Sequence, residues 1–552
     1  MSGTAPAGPA TGGPDPAEAG AGRGGRVLFL SSRTRRGRAW PLTTVSALVV
    51  TAVLLPVAFL VWQASQAGWA LIGRLLLRRL TLTLLVNTVE LTVAVTACAA
   101  VISVAAAWCV ERTDLPGRRL WRAVLMIPLA IPDFVVGYTW SSLSPAVHGL
   151  GGAILVMTLG LYPLAYLPVA AALRRADTSV YEVARSTGSG RAAAFWRVVM
   201  PQIRAAVLGG SMLVALGILA EYGAFEILRF QTFTTEIFTE FSLGFNTPAA
   251  SALSLLLVVL GLLVLAGERA AVRSPAAAGA APVRSTGHRR YHLGWGALPA
   301  LAGLTALAGL AVGVPVSTLV YWLTQPTNST LPPIPLDGAL AHTLTFSTGA
   351  AVLATAAALP VAFLAVRRPG RLSLALERAG YLVQGLPGLV IALSLVFFAI
   401  HAAYPLYQSP GLLVIAYAVM FFPLALVSLR VSLAQAPPRL GELARSLGCR
   451  PLGAMLRVTL PLAAPGIAAS AALVFLSAVT ELTATLVLVP TGANTLATAF
   501  WAYQSDVSYA AASRYAALIV AIAIIPGVFL QRWLDSGRPA GRLRLRGRRG
   551  TS

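Results

Sequence analysis

The side chains best suited to chemistry in this sequence are acidic residues set among long apolar runs. Asp133 follows Pro132 inside one such run, and Glu90, Glu221, Glu226 and Glu481 stand within or at the ends of others. An ionisable group in an apolar segment is costly to keep, so lining a path for a charged species is its default expectation. Carboxylates there would present oxygen, the ligand that a hard cation prefers. The competing expectation puts Glu221, Glu226 and Glu481 at the outer face of a membrane, paired with Arg229 or water, with Glu90 the weakest candidate. Other chemistry is sparse. Cys98, Cys109 and Cys449 lack metal-ligand spacing and read as small packing residues. His148, His288, His292, His342 and His401 are scattered, and the His288/His292 pair falls in a polar stretch. Nothing resembles a hydrolytic triad or a pair of catalytic carboxylates, so an enzyme is not expected.

A second signal is repetition. Residues 182–201 read EVARSTGSGRAAAFWRVVMP, and 442–461 read ELARSLGCRPLGAMLRVTLP. Glu182, Gly188 and Pro201 match Glu442, Gly448 and Pro461 at an offset of 260 residues, as do Pro163 with Pro423 and Glu221 with Glu481. Upstream the offset is 255: NTVELTVAV (87–95) matches HTLTFSTGA (342–350), and Pro132 matches Pro387. Ser179 and Glu182 have the spacing of a capping box, which opens a helix on reciprocal hydrogen bonds. Pro438 suits a first helical turn in the second copy. Gly188 and Gly448 fall where a short helix would end in a left-handed turn, and Pro201 and Pro461 mark the turn into the next segment. Each copy thus predicts a short helix, a sharp glycine bend and a segment leading back.

The surroundings dictate where such helices sit. The 552 residues are 57% hydrophobic and 11% charged, with a mean hydropathy of +0.75, whereas a soluble chain carries about 25% charged residues. Runs such as LTTVSALVVTAVLLPVAFLVW (42–62) are apolar on every face and match the ~20 residues a helix needs to cross a bilayer. Long apolar runs without strand alternation must be helices, because lipid cannot pair backbone groups. The expected fold is therefore an all-α polytopic membrane protein of two tandem six-helix halves. Twelve spans are predicted, near 41–63, 83–108, 123–144, 152–173, 205–224 and 249–266, then 295–322, 341–365, 381–402, 410–429, 463–480 and 512–530. The expected divisions are a disordered tail (1–39), a first half (40–267, loop 178–201), a linker (268–293), a second half (294–531, loop 438–461) and a basic tail (532–552). The apolar run near the start is too long for a signal peptide.

All 42 basic residues are arginine. With both termini in the cytoplasm, only Arg74, Arg78, Arg79, Arg229 and Arg514 fall outside, as the positive-inside rule requires. The net charge of +23 then belongs to loops facing anionic lipid, and no folded basic domain exists to grip nucleic acid. A parallel duplication of this kind sets a pseudo-two-fold axis along the membrane normal, where transporters form their path.

Both polar stretches resemble the EAA loop of ABC-importer permeases: EVARSTG…VVMP and ELARSLG…VTLP, with Val183 and Leu443 departing from the middle alanine. The resemblance implies the type I importer fold, with Glu182, Ala184, Gly188 and Pro201, and Glu442, Ala444, Gly448 and Pro461, forming helices that dock on an ATP-binding subunit. Two loops imply a fused permease serving two ATPase copies in a bacterial inner membrane, supplied by an extracytoplasmic binding protein. The chain has no lysine, and a Walker A loop needs one; no cofactor is expected here, ATP and Mg belonging to the partner. The stretches TELTATLVLVPTGANTLATAFW (480–501) and AEYGAFEILRFQTFTTEIFTEF (220–241) are similar to the ferric-iron group of these permeases. Thiamine and phosphonate permeases share that layout, and a secondary transporter is the remaining alternative class.

Overall fold

The computed structural model describes residues 40–535, apart from 67, 69–72, 76, 178, 243, 245, 273–290 and 328. The expected N-terminal tail, the basic tail beyond residue 535, most of the linker and His288 lie outside the described residues. Helices occupy all twelve predicted spans. Eight are unbroken helices long and apolar enough to cross a membrane, three more are bent pairs, and the last contains the shorter apolar helix Tyr509–Ile524.

The bends have a local cause. The third span of each half breaks, Arg118–Ala130 from Asp133–Leu143 by 89° and Arg371–Gly385 from Gly388–Ala402 by 105°. A proline disfavours helical geometry in the residue before it. Ile131 accordingly sits at φ −101°, ψ 116° before Pro132, and Leu386 at φ −99°, ψ 124° before Pro387. In each half a fresh helix then starts in the middle of the span. Its free N–H groups cannot be left to lipid, and both breaks are buried, Ile131 being 3% exposed and Leu386 9%.

Pro201 and Pro461 behave differently from expectation. Neither marks a turn. Each lies inside one continuous helix, Arg191–Ala220 and Leu452–Val479, two residues after a single wide π-turn at Phe195–Val199 and Met455–Thr459. A proline lacks the N–H that would reach the carbonyl four residues back and clashes with that carbonyl. Widening the preceding turn relieves the clash without breaking the helix. Pro315 follows a third such turn, Gly309–Gly313.

Two further pieces escape the hydropathy pattern. After the fifth span each half places a short helix (Gly223–Ile227; Thr483–Leu488) and a longer one (Phe233–Ser242; Leu496–Ser505) before the final span. They are too short and too polar to register as spans.

The halves share their cores. One cluster joins Leu91–Leu228 of the first half to Leu304–Leu319 and Val479–Val520 of the second. The other joins Leu389–Leu433 of the second half to Val50–Leu60 and Ala250–Val258 of the first. First spans are thus exchanged: Phe59 meets Phe398 at 6.0 Å between ring centroids, while the Trp322 indole donates to Ser142 Oγ at 3.1 Å.

Candidate functional site

The two polar stretches form helices Ser179–Ser186 and Pro438–Ser446. Among the described residues the Ser179 N–H does not take the partner that a capping box would give it. Asp177 caps instead, its Oδ1 accepting from both the Ser179 N–H and the Ser179 hydroxyl at 2.8 Å. The helix therefore opens at Ser179, and the Ser179 N–H holds the Asp177 carboxyl below the usual carboxylate range. Both helices end alike. Gly188 (φ 91°) and Gly448 (φ 89°) adopt the left-handed conformation, with Ser189 N–H on Ala184 O and Cys449 N–H on Ala444 O, each at 3.0 Å. Together with Gly188 N–H on Arg185 O and Gly448 N–H on Arg445 O, these form Schellman closures. The helices turn apolar side chains outward: Val183 is 60% exposed, Leu443 56% and Leu447 78%. Glu182 and Ala184 are half-buried, whereas Glu442, Gly188 and Gly448 are exposed.

Arginines hold the approach to both helices. Arg112, last residue of Arg79–Arg112, donates to Ala176 O at 2.5 Å. Arg367, last residue of Leu336–Arg367, donates to Ala436 O at 2.9 Å. The two sit at the same offset of 255 as the upstream repeat, a signal present in the sequence but not used. Nearby, buried Glu111 accepts from Arg122 at 2.6 Å and Arg174 at 2.9 Å. In the second half the carboxylate is Glu377, paired with Arg430 at 2.6 Å. The two carboxylates are buried while their arginines are 35–53% exposed, so solvent screens part of each attraction.

Toward the membrane interior, the fifth span of each half ends at a glutamate. Glu221 Oε1 accepts from Ala224 N–H at 2.8 Å, and Glu481 Oε1 accepts from Ala484 N–H at 2.9 Å. Each carboxylate thereby caps the short helix that follows. Their own carbonyls are also held, Glu221 O by Thr234 Oγ1 at 2.6 Å and Glu481 O by Thr485 Oγ1 at 2.7 Å. The Thr485 hydroxyl shares a 2.5 Å hydrogen bond with Tyr417.

Glu221 and Glu481 lie near enough for their charges to interact, and Asp133 lies within the same reach of Glu221. Asp133 begins the helix after the Pro132 break, its carboxylate packed against Gly160 where no side chain intrudes. The matching position in the second half is Gly388, whose backbone lies beside the Glu481 carboxylate. The structure therefore brings together Asp133, Glu221 and Glu481, all half-buried, at two facing breaks. It leaves Glu226 exposed outside the group, and Glu90 exposed without a hydrogen bond or ion pair among the described residues. None of these carboxylates pairs with Arg229 among the described residues, which removes that part of the interfacial expectation. Nor do three His, Cys, Asp or Glu side chains converge to hold a metal ion among the described residues.

One contact belongs to the first half alone. Tyr291 bridges in parallel to Thr113, stacks on Trp108 with rings 5.7 Å apart and meets Tyr181 of the first polar helix at 4.8 Å. Asp114 Oδ1 accepts from Leu293 N–H at 3.0 Å, and Oδ2 lies 2.7 Å from His292 Nδ1. The Leu293 N–H, with the His292 contact, holds Asp114 below the usual carboxylate range. The end of the inter-half connection is thus strapped onto the first polar helix.

The sequence profile of a family described as binding-protein-dependent transport system inner membrane component matches twice, at residues 99–274 and 347–538. The chain is 37% identical to the Fe(3+)-transport system permease protein FbpB 2 of Haemophilus influenzae, over 90% of this chain and 99% of that protein. It is 27% identical to the sulfate transport system permease protein CysT of Salmonella typhimurium, over 43% of this chain and 94% of that one. It is also 28% identical to the molybdenum transport system permease protein ModB of Escherichia coli, over 21% of this chain and 58% of that protein. CysT fits almost whole within less than half of this chain, as a single unit would against a duplicated one. The chain therefore belongs to the family of binding-protein-dependent inner-membrane permeases, as a multi-pass protein that carries the family's domain twice on one polypeptide.

Proposed function

We propose that this chain supplies both transmembrane halves of the permease of an ATP-driven ferric-iron importer. The observation that carries the reading is the pair of short helices, Ser179–Ser186 and Pro438–Ser446, closed by the same left-handed glycine and turning apolar residues outward. Two like surfaces suit two copies of one soluble ATPase, each seating a helix in a groove. ATP and Mg would be bound and turned over there. The arginine distribution favours both loops and both termini in the cytoplasm, with an extracytoplasmic binding protein delivering substrate from the other side.

Iron is favoured by the relative of 37% identity over 90% of the chain and by the chemistry of the breaks. Glu221, Glu481 and Asp133 would offer oxygen to a hard cation in transit and would repel oxyanions such as sulfate. They are not clustered as a closed coordination site, which suits passage, since an ion in a path must leave as well as enter. Because Glu221 and Glu481 also cap the helices beside them, a shift of either short helix would move its carboxylate. Rocking of the two halves would then couple the path to the loops.

The test is uptake into proteoliposomes holding this chain, its ATPase and its binding protein. Labelled Fe(III) should accumulate only with ATP inside the compartment reached by the ATPase. Preferred uptake of thiamine, a phosphonate or sulfate would overturn the iron assignment. Uptake driven by a proton gradient without ATP would overturn the importer reading itself.

A further inference from the structure

Beside the first polar helix lies a groove of about 1510 Å³, larger than the ~300–1,000 Å³ of ordinary small-molecule sites. Its apolar lining includes Ala100, Val101, Val104, Trp108 and Phe195, and the Tyr291 strap joins it where Tyr291 stacks on Trp108. From Ala100 to Trp108 the wall runs about 12 Å along one helix, close to the ~15 Å hydrocarbon depth of a single leaflet. That end lies within the span Arg79–Arg112, where Val101 is 69% exposed, so acyl chain is what adjoins it. The opposite end opens beside Arg185 and Arg191. Both are exposed. Arg185 spends one N–H on Ser189 O at 2.7 Å, and Arg191 has no carboxylate partner among the described residues. Glu182 and His292 are the other ionisable groups of the lining with Tyr181 and Tyr291. Trp196, 63% exposed, also lines the groove, and tryptophans favour the boundary between headgroups and hydrocarbon.

We infer that this groove is a binding site for one anionic phospholipid, its phosphate at Arg185 and Arg191 and an acyl chain along Val101 and Val104. Charge and depth agree on that occupant: the tail end is apolar and faces lipid, and the head end offers two guanidiniums to a phosphate. The second half cannot build the same site. Pro451 stands where Arg191 does, Leu456 replaces Trp196, Gly441 replaces Tyr181, and the connection passes only once. A lipid seated there would brace the first polar helix from the membrane side, against the strap.

The experiment is native mass spectrometry of the full chain released from nanodiscs of phosphatidylcholine and phosphatidylglycerol in equal amounts. One phosphatidylglycerol should stay bound preferentially. Arg185→Gln with Arg191→Gln should lower that retention roughly fivefold or more, and Ala105→Trp, which fills the groove from an exposed position, should do so with both arginines intact. Arg445→Gln with Arg450→Gln, which removes two exposed charges at the second loop, should leave retention unchanged. Equal retention of the two lipids, indifference to Ala105→Trp, or equal loss in the second-loop variant would overturn the site.

Discussion

The first half meets its polar helix with Tyr181 packed under Tyr291, a base of Glu111 between two arginines, and a carboxylate at the Pro132 break. The second half meets the same helix with Gly441, a single Glu377–Arg430 pair and a glycine at the Pro387 break. What both keep is narrower and more telling. Both retain the left-handed glycine, the arginine on the carbonyl before the helix, the π-turn before the proline and the glutamate capping the short helix. Backbone geometry was preserved after duplication while ion pairs and aromatic braces were rebuilt. Parts that must move alike are alike, and parts that hold each half to its neighbours differ.

Loss of both docking helices should be the most severe break. Glu182→Lys with Glu442→Lys should abolish co-purification of the ATPase, whereas each single change should leave part of it. Pull-down from detergent extracts reads this directly. Full ATPase recovery with the double variant would mean that these helices are not the docking surface.

The path carboxylates come next. Glu221→Gln with Glu481→Gln keeps an oxygen that can accept from Ala224 and Ala484 but removes the charge. Uptake of Fe(III) should fall tenfold or more with membrane abundance unchanged. The corresponding alanine pair should add the loss of two caps, each about 1 kcal/mol, visible as lower thermal stability in detergent. Asp133→Asn should weaken uptake less than Glu481→Gln, since the second break has no other carboxylate of its own to share the load. The reverse order would show that the two breaks are not used equivalently.

The strap sharpens the asymmetry. Tyr291→Ala removes one ring, stacked on Trp108 and tilted against Tyr181, and aromatic pairs are worth about 0.5–1.5 kcal/mol each beyond burial. Amide exchange in residues 179–190 should quicken by roughly tenfold for each 1.4 kcal/mol lost, with residues 438–450 unaffected. A change spread over both loops would mean that the strap acts on the whole molecule.

Much of this was legible before any coordinates. Apolar run length fixes the helices because lipid permits little else, and the glycine at the loop announces its turn because other residues resist that backbone. The breaks at Pro132 and Pro387 were visible as a matched pair, yet hydropathy counts apolar residues and is blind to a bend. The helix after Glu221 went unseen for a related reason: five residues from Gly223 to Ile227 cannot carry a periodic pattern. Long-range pairings such as Glu111 with Arg174, or Trp322 with Ser142 across the halves, depend on three-dimensional neighbours that no local window contains. Asp177 took the Ser179 N–H that Glu182 would accept in a capping box, because a carboxylate two residues upstream is a charged acceptor already in reach.

The smallest effect tests the claim that the two loops are geometrically one device. Gly188→Ala and Gly448→Ala place a Cβ on residues at φ 91° and 89° with open space around both. Only backbone strain is at issue, and no neighbour has to give way. The cost should be about 1 kcal/mol in each case. It should appear as a severalfold faster exchange of the amides closing the helix, those of Ser189 and Cys449. Because the strain belongs to the residue and not its surroundings, the two variants should match each other even though Tyr291 braces only the first helix. If Gly188→Ala were well tolerated while Gly448→Ala freed its helix, the strap would be supplying closure that the turn supplies in the second half, and the loops would share a sequence without sharing a mechanism.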